Sequence, residues 1–183
     1  MKKFPTLKTE RLILRPFSLD DAKQVQHLAG DAAIAAMTLM IPHPYEDGVA
    51  EEWIKSHEKK FQEGSEIDFA ITHKAEDYLI GAIGISSIDQ KFEKAEIGYW
   101  IGKPFWNKGF CTEAVKAVLQ YSFEKLKLNK VYAHHFIDNP SSGKVMKKAG
   151  MKEEGMLRQN VKKGEKYIDT PLYGILRSEF MNR

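Results

Sequence analysis

A single cysteine, Cys111, stands in 183 residues, so an intramolecular disulfide framework is excluded. Long apolar runs are missing too. No stretch is long enough to span a bilayer, and the N-terminal residues lack the apolar core of a secretory signal. Charge of one sign is also scarce: 28 Lys and Arg face 25 Asp and Glu, a net +3, too mild for a nucleic-acid-binding surface. Internal repeats, linkers and low-complexity segments are absent. A reducing compartment, the cytoplasm, and a single domain over residues 1–183 are the expectations, with no membrane or direct nucleic-acid partner and a monomeric or homodimeric state. With 43% hydrophobic and 29% charged residues, the composition suits a globular chain with one substantial core.

What is present is a succession of short β-rich runs and amphipathic segments. Arg11–Arg15 reads as a strand closed by Pro16, and Ser18 with Asp20 and Asp21 opens a helix that stops at Gly30. Pro42 and Pro44 break the weakly patterned apolar stretch from Ala32 to Met40. Met37, Leu39 and Met40 there read as core, or else as an adaptable pocket lining. A helix is expected over Glu46–Glu63, its apolar stripe carrying His57 as a satisfied, partly buried histidine. Ile67–Thr72 and Leu79–Ser86 read as strands apolar on both faces, as for a sheet covered by helices. Gly81 and Gly84 mark bends or close backbone approach.

The chemically suggestive stretch runs from Ala95 to Met151. It reads as a strand (Ala95–Ile101), a glycine-containing turn, and a long helix with Glu113, Lys116, Gln120 and Glu124 outward. A strand (Lys130–Phe136) and a short helix from Asn139–Pro140 to Gly150 follow, completing a βαβα unit. In the turn, Asn107, Lys108, Gly109, Phe110, Cys111 and Thr112 bring a lysine, a glycine and unpaired N–H groups to a helix start, where a phosphate can sit. The same residues also suit a plain strand–turn–helix connection, and they match neither the Walker nor the dinucleotide spacing. Lys152–Arg177 reads as a hairpin turning at Lys162–Glu165.

At these residues the chain resembles the GNAT acyltransferase superfamily, and within it the Rim-type protein N-acetyltransferases. Trp106–Cys111 falls on the superfamily's pyrophosphate loop, [Gln/Arg]-x-x-Gly-x-[Gly/Ala], with Trp106 and Cys111 as departures. Asn139-Pro140-Ser141-Ser142 falls on its next motif, and Thr9–Pro16 with Asp20-Asp21-Ala22 resembles Rim-type N-termini. The resemblance spans essentially the whole chain. It implies a mixed α/β GNAT fold, a central, mostly antiparallel sheet splayed between the strands at Ala95–Ile101 and Lys130–Phe136. It also implies acetyl-CoA as co-substrate, with no metal, and an amine acceptor, most directly a protein or peptide N-terminal α-amine. A polyamine, an amino acid or an aminoglycoside is the alternative acceptor. A non-catalytic acyl-CoA-binding module is the rival of another class.

Residue by residue, the resemblance places the pyrophosphate on Asn107, Lys108, Gly109, Phe110, Cys111 and Thr112. Pantetheine falls to the backbone of Trp100 and Ile101, on a strand that the family bulges, and to Asn139. Glu96 is the candidate base, against the plainer reading of an exposed strand-end carboxylate. Many members carry a proton-donating Tyr where this chain has Met146, and Ser142 is the candidate donor instead, against simple helix-start bonding. Cys111 reads as a small packing residue. His134 and His135 point to opposite faces of their strand, which excludes a two-histidine metal site there, and one of them is expected to face the acceptor. Arg158, Tyr167 and Asp169 are structural, or else select acceptor charge.

Overall fold

The computed structural model describes residues 3–182. Eight strands form a single sheet: β1 (Leu7–Lys8), β2 (Leu12–Pro16), β3 (Ile67–His73), β4 (Leu79–Asp89), β5 (Lys94–Ile101), β6 (Lys130–His134), β7 (Lys152–Lys163) and β8 (Lys166–Leu176). Their order is β1-β2-β3-β4-β5-β6-β8-β7, and every pair is antiparallel except β5 with β6. The helices are α1 (Ala22–Ala29), α2 (Ala32–Met37), α3 (Val49–Glu63), α4 (Phe110–Glu124), α5 (Pro140–Ala149) and α6 (Arg177–Met181). This is the expected mixed α/β architecture with a mostly antiparallel sheet.

Helices cover both faces of the central strands. On one face α4 buries Ala114, Val115, Val118, Leu119 and Phe123 against Ile71, Ile83, Ile97 and Val131. Burying a side chain such as Leu119 contributes roughly 1.5–3 kcal/mol. On the other face α1 and α3 lay Ala22, Val25, Ala29, Ala50 and Ile54 over Ala70 and Leu79. Ala50, Ile54, His57 and Phe61 recur at helical spacing, so α3 turns a single buried stripe to the sheet. Close approach is real at two glycines: a Cβ on Gly81 would lie 2.2 Å from the Trp100 carbonyl oxygen, and one on Gly84 2.4 Å from Asp68 Oδ1.

Several expectations shift. The third helix begins at Val49 rather than Glu46, because Gly48 caps it. The strand after α4 stops at His134 rather than Phe136. Met37, Leu39 and Met40 are surface residues rather than core, Met40 being 86% exposed. Their segment is held instead by backbone groups: Lys163, near the tip of the β7–β8 hairpin, donates to the carbonyls of Ala35 and Thr38. His57 is buried as expected, yet it is not satisfied, since neither ring nitrogen has a partner.

Candidate active site

The site is a gap in the sheet. β5 and β6 pair only at Lys94–Glu96 with Lys130–Tyr132, and beyond Glu96 the two strands part. Antiparallel ladders alternate their bonding sides, and the Gly102 N–H to Ile80 carbonyl bond of 2.9 Å fixes the phase on β5. Even-numbered residues therefore direct their backbone groups to β4, and Tyr99 and Ile101 direct theirs into the gap. Ile101 thus turns its backbone toward the gap, although its carbonyl already accepts Trp106 Nε1 at 2.6 Å. Trp100 does not. Its backbone faces Ala82 and its carbonyl rests against Gly81. The expected bulge is also absent from the paired length of β5: the register runs unbroken from Glu96 to Ile101 and shifts only between Ser86 and Asp89 on β4. Divergence of β6, not a bulge, opens the slot.

Below the gap, the turn from β5 leads to α4. Gly109 caps this helix at φ +80°, a conformation that disfavours L side chains. The first intrahelical bond runs from Glu113 N–H to the Gly109 carbonyl at 3.1 Å. The N–H groups of Phe110, Cys111 and Thr112 are thus left without an intrahelical acceptor, at the positive end of the helix dipole. Asn107 adopts φ +61° just before, and the Lys108 ammonium lies 5.7 Å over the Phe105 ring. A cleft of about 350 Å³ beside this turn is lined by Glu10, Gly109, Thr112, Glu113, Lys116 and Lys148. Burial pushes the Cys111 thiol up to about 12, so it is no thiolate near neutral pH.

Glu113, expected on an outward face, instead ties this turn to the N-terminal segment. Its carboxylate accepts from Thr9 Oγ1 at 2.6 Å, from the Arg11 N–H at 2.9 Å and from Arg11 Nε at 2.8 Å. Burial would raise this carboxyl, but those bonds together hold it below the usual range. Arg11 also donates to the Lys108 carbonyl at 3.0 Å and stacks its guanidinium 4.6 Å over the Phe110 ring. Sequence reading missed this clamp, whose partners lie about a hundred positions apart.

On the α4–α5 side of the gap, Tyr99 Oη lies 3.0 Å from Ser142 Oγ and 3.2 Å from the Ser142 carbonyl. Burial, with Cys111 nearby, pushes the Tyr99 phenol far above its usual range, so it stays protonated. Asn139 caps α5, its Oδ1 accepting from Ser142 N–H at 3.3 Å. Met146 is in the core at 1% exposure. On the opposite face, which β5 shares with Trp100, Glu96 Oε1 accepts from His134 Nδ1 at 2.6 Å. That bond raises the His134 pKa above 6.5 against the opposing effect of burial. His135 points the other way, bonds the Phe136 carbonyl at 2.7 Å and packs against Gly143. Asp169 accepts from the Gln159 N–H at 2.6 Å, a structural role, while Arg158 and Tyr167 are exposed. Among the described residues no group of His, Cys, Asp and Glu is placed to hold a metal ion, and no helix is long and apolar enough to cross a membrane.

The acetyltransferase (GNAT) domain family matches residues 11–152 of the chain. An uncharacterized N-acetyltransferase of Bacillus licheniformis is 33% identical over 96% of this chain and 98% of its own. The ribosomal-protein-serine acetyltransferase of Escherichia coli is 32% identical over 54% of this chain and 55% of its own. Among solved structures, spermidine N-acetyltransferase from Vibrio cholerae in complex with CoA and spermine superposes with a TM-score of 0.81 at 26% identity, covering 95% of this chain and 100% of that one. With its splayed strands and its open helix start after Gly109, the chain belongs to the GNAT family and is an acetyl-CoA-dependent N-acetyltransferase.

Proposed function

We propose that this enzyme acetylates a primary amine that enters the β5–β6 gap from the Glu96–His134 face. The residues suit acetyl-CoA: N–H groups of Phe110, Cys111 and Thr112 for the pyrophosphate, with Asn107, Lys108 and Gly109 shaping the turn. The gap-facing backbone of Tyr99 and Ile101, with the Asn139 amide, serves the pantetheine arm. Acetyl-CoA supplies an acetyl group activated as a thioester. The observation that carries the reading is the opposition of two hydrogen-bonded pairs across one gap, Glu96–His134 on one face and Tyr99–Ser142 on the other.

An α-amine with a pKa near ~8 is mostly protonated at neutral pH and must lose a proton before it attacks. Glu96 was the candidate base, and its partner refines that role. With Nδ1–H held by Glu96, neutral His134 presents Nε2 as the proton acceptor, and the carboxylate stabilises the imidazolium that forms. Ser142 donates a hydrogen bond to the departing thiolate sulfur, and Tyr99, donating to the Ser142 carbonyl with its Oη 3.0 Å from Ser142 Oγ, orients it. Since Tyr99 remains protonated, this pair stabilises charge, and the thiol proton comes from solvent.

The acceptor implied by the Rim-type resemblance is the N-terminal α-amine of a protein or peptide, a reading supported by the similarity to the ribosomal-protein-serine enzyme. A small polyamine is the second reading, favoured by similarity to the spermidine enzyme over nearly the whole chain. The chain acts as one domain over residues 1–183, in the cytoplasm, as a monomer or homodimer. Acetyl-CoA offered with N-terminal peptides, polyamines, amino acids and aminoglycosides, with products read by mass spectrometry, tests the reading. Acetylation of peptide N-termini alone supports the first acceptor, and of polyamines alone the second. Bound acetyl-CoA with no acetylated product would replace the enzyme reading with a binding module.

A further inference from the structure

On the face that carries Glu96, the sheet holds a largely buried carboxylate with no Lys or Arg paired to it among the described residues. Asp68, Gly84 and Gly98 lie side by side on β3, β4 and β5. A Cβ on Gly98 would meet nothing within 4 Å, so the surface there is open, and Asp68 leans over Gly84 toward it. The Asp68 side chain is 19% exposed, and the nearest basic group is His57 Nε2 at 3.8 Å. His57 is itself 6% exposed, with both ring nitrogens lacking a partner. Trp53 stands edge-on to the His57 ring at 4.5 Å and Phe17 lies at 5.2 Å. The one lysine acting on Asp68, Lys60, is bonded to Glu66 at 2.6 Å.

Leaving a buried imidazole without a hydrogen bond and holding a carboxylate largely out of water are both costly, and burial accordingly pushes the Asp68 carboxyl up to about 6 and the His57 ring down to about 4. An ammonium answers the carboxylate, to which it donates, while His57, its ring nitrogens sealed from the surface, lies 3.8 Å behind among aromatic rings that favour a cation. The Asp68 carboxylate sits roughly one strand spacing, ~4.8 Å, from Gly98, which is two residues, ~6.6 Å, along β5 from Glu96. The two offsets are at right angles and combine to about 8 Å, so a second amine about 6–8 Å from the one acetylated spans that separation.

We infer that Asp68 and His57 form a specificity subsite for a second ammonium group of the acceptor, four or five carbons from the amine that is acetylated. The inference rests on the amine entering from the Glu96–His134 face. Its sources are a free aliphatic diamine or a peptide whose N-terminal side chain ends in an amine, and both present the same chemistry.

The test compares butane-1,4-diamine with butylamine, and a Lys-first peptide with its norleucine-first counterpart, on the wild type and on Asp68→Asn. The wild type is expected to prefer one dicationic acceptor by about 10-fold or more in kcat/KM, expressed in KM, and Asp68→Asn to collapse that ratio. Preference confined to the diamine pair assigns a free diamine, and confined to the peptide pair an N-terminal side chain. No preference in the wild type, or one that survives in Asp68→Asn, overturns the subsite. Should the wild type acetylate none of these acceptors, the acceptor class proposed above is wrong, and calorimetry decides the subsite separately: butane-1,4-diamine binding to the wild type and lost in Asp68→Asn supports it. Equal binding to both proteins, or binding to neither, overturns it.

Discussion

His134 Nδ1 lies 2.6 Å from the Glu96 carboxylate, just past the last point at which β5 and β6 are still paired. The contact raises the His134 pKa above 6.5, so the neutral, proton-accepting ring predominates only above that value. The rate should therefore rise with pH through a midpoint above 6.5. Glu96→Gln removes the charge, so its midpoint should fall, and kcat should drop by roughly 10-fold or more because the imidazolium loses its partner. A pH–rate profile with the same midpoint in both proteins would leave His134 out of the chemistry.

Tyr99→Phe tests the opposite side of the gap. The substitution keeps the ring packed and removes only the hydroxyl 3.0 Å from Ser142 Oγ. We expect kcat to fall by roughly 10-fold, about 1.4 kcal/mol, with acetyl-CoA affinity nearly intact. Ser142→Ala should cost at least as much, and the double variant little beyond Ser142→Ala alone, because Tyr99 acts through the serine. Fully multiplicative losses would show two independent roles.

The two pairs also mark what the sequence can and cannot disclose. Element order and type were legible because the apolar period changes between strand and helix, as at Ile67–Thr72 and along Ala114–Leu119. So were the Gly109 turn and the Asn139 cap, which are local chemistry. Tyr99 was not, since an aromatic on a half-buried strand looks like core and its partner lies 43 positions away. Glu113 read as solvated for the same reason, its partners being 102 and 104 positions distant. Trp100 failed differently. Side-chain alternation says which face a residue occupies, but the phase of backbone bonding depends on pairing with β4, which the pattern leaves open.

The Glu113 clamp should be a stability element with a functional echo. Glu113→Ala removes the acceptor of Thr9 and of the Arg11 N–H and guanidinium, and frees the guanidinium that braces the Lys108 carbonyl. Charge-assisted bonds of this kind support an expected loss of roughly 2–3 kcal/mol. Denaturant titration measures it, and acetyl-CoA should bind the variant more weakly because the turn is less fixed. Unchanged stability would mean that the N-terminal segment docks without this carboxylate.

At the helix start, Gly109→Val places a β-branched residue at φ +80°, a backbone strain of roughly 1–2 kcal/mol. Calorimetry should show acetyl-CoA affinity falling by about 10-fold or more, as the N–H groups of Phe110 to Thr112 lose their arrangement. Cys111→Ser is the contrasting case. With its thiol pushed up to about 12, Cys111 is no nucleophile, and turnover should stay within about 2-fold. Loss of turnover with cofactor binding preserved would give the thiol a chemical role.

Asp68, largely withdrawn from water, and buried His57 make opposite demands on pH. Asp68 is raised from 3.8 to about 6 in the folded protein, so its share of stability is full below 3.8 and is lost as pH rises through 6. His57 is lowered from 6.5 to about 4, so its share is full above 6.5 and is lost as pH falls through 4. Between about pH 4 and 6 the two nearly cancel, and the wild type should draw little pH dependence from this pair. Asp68→Asn removes one side of the balance. Its stability should therefore fall, relative to the wild type, by on the order of 3 kcal/mol between pH 6.5 and 4, the cost of charging a buried imidazole. His57→Phe should show the reverse slope, gaining stability as Asp68 protonates below pH 6. Urea titrations at pH 4, 5, 6 and 7 separate these outcomes. Parallel curves for all three proteins would mean that water reaches both groups freely, and with it the reason for Asp68 to recruit an ammonium would disappear.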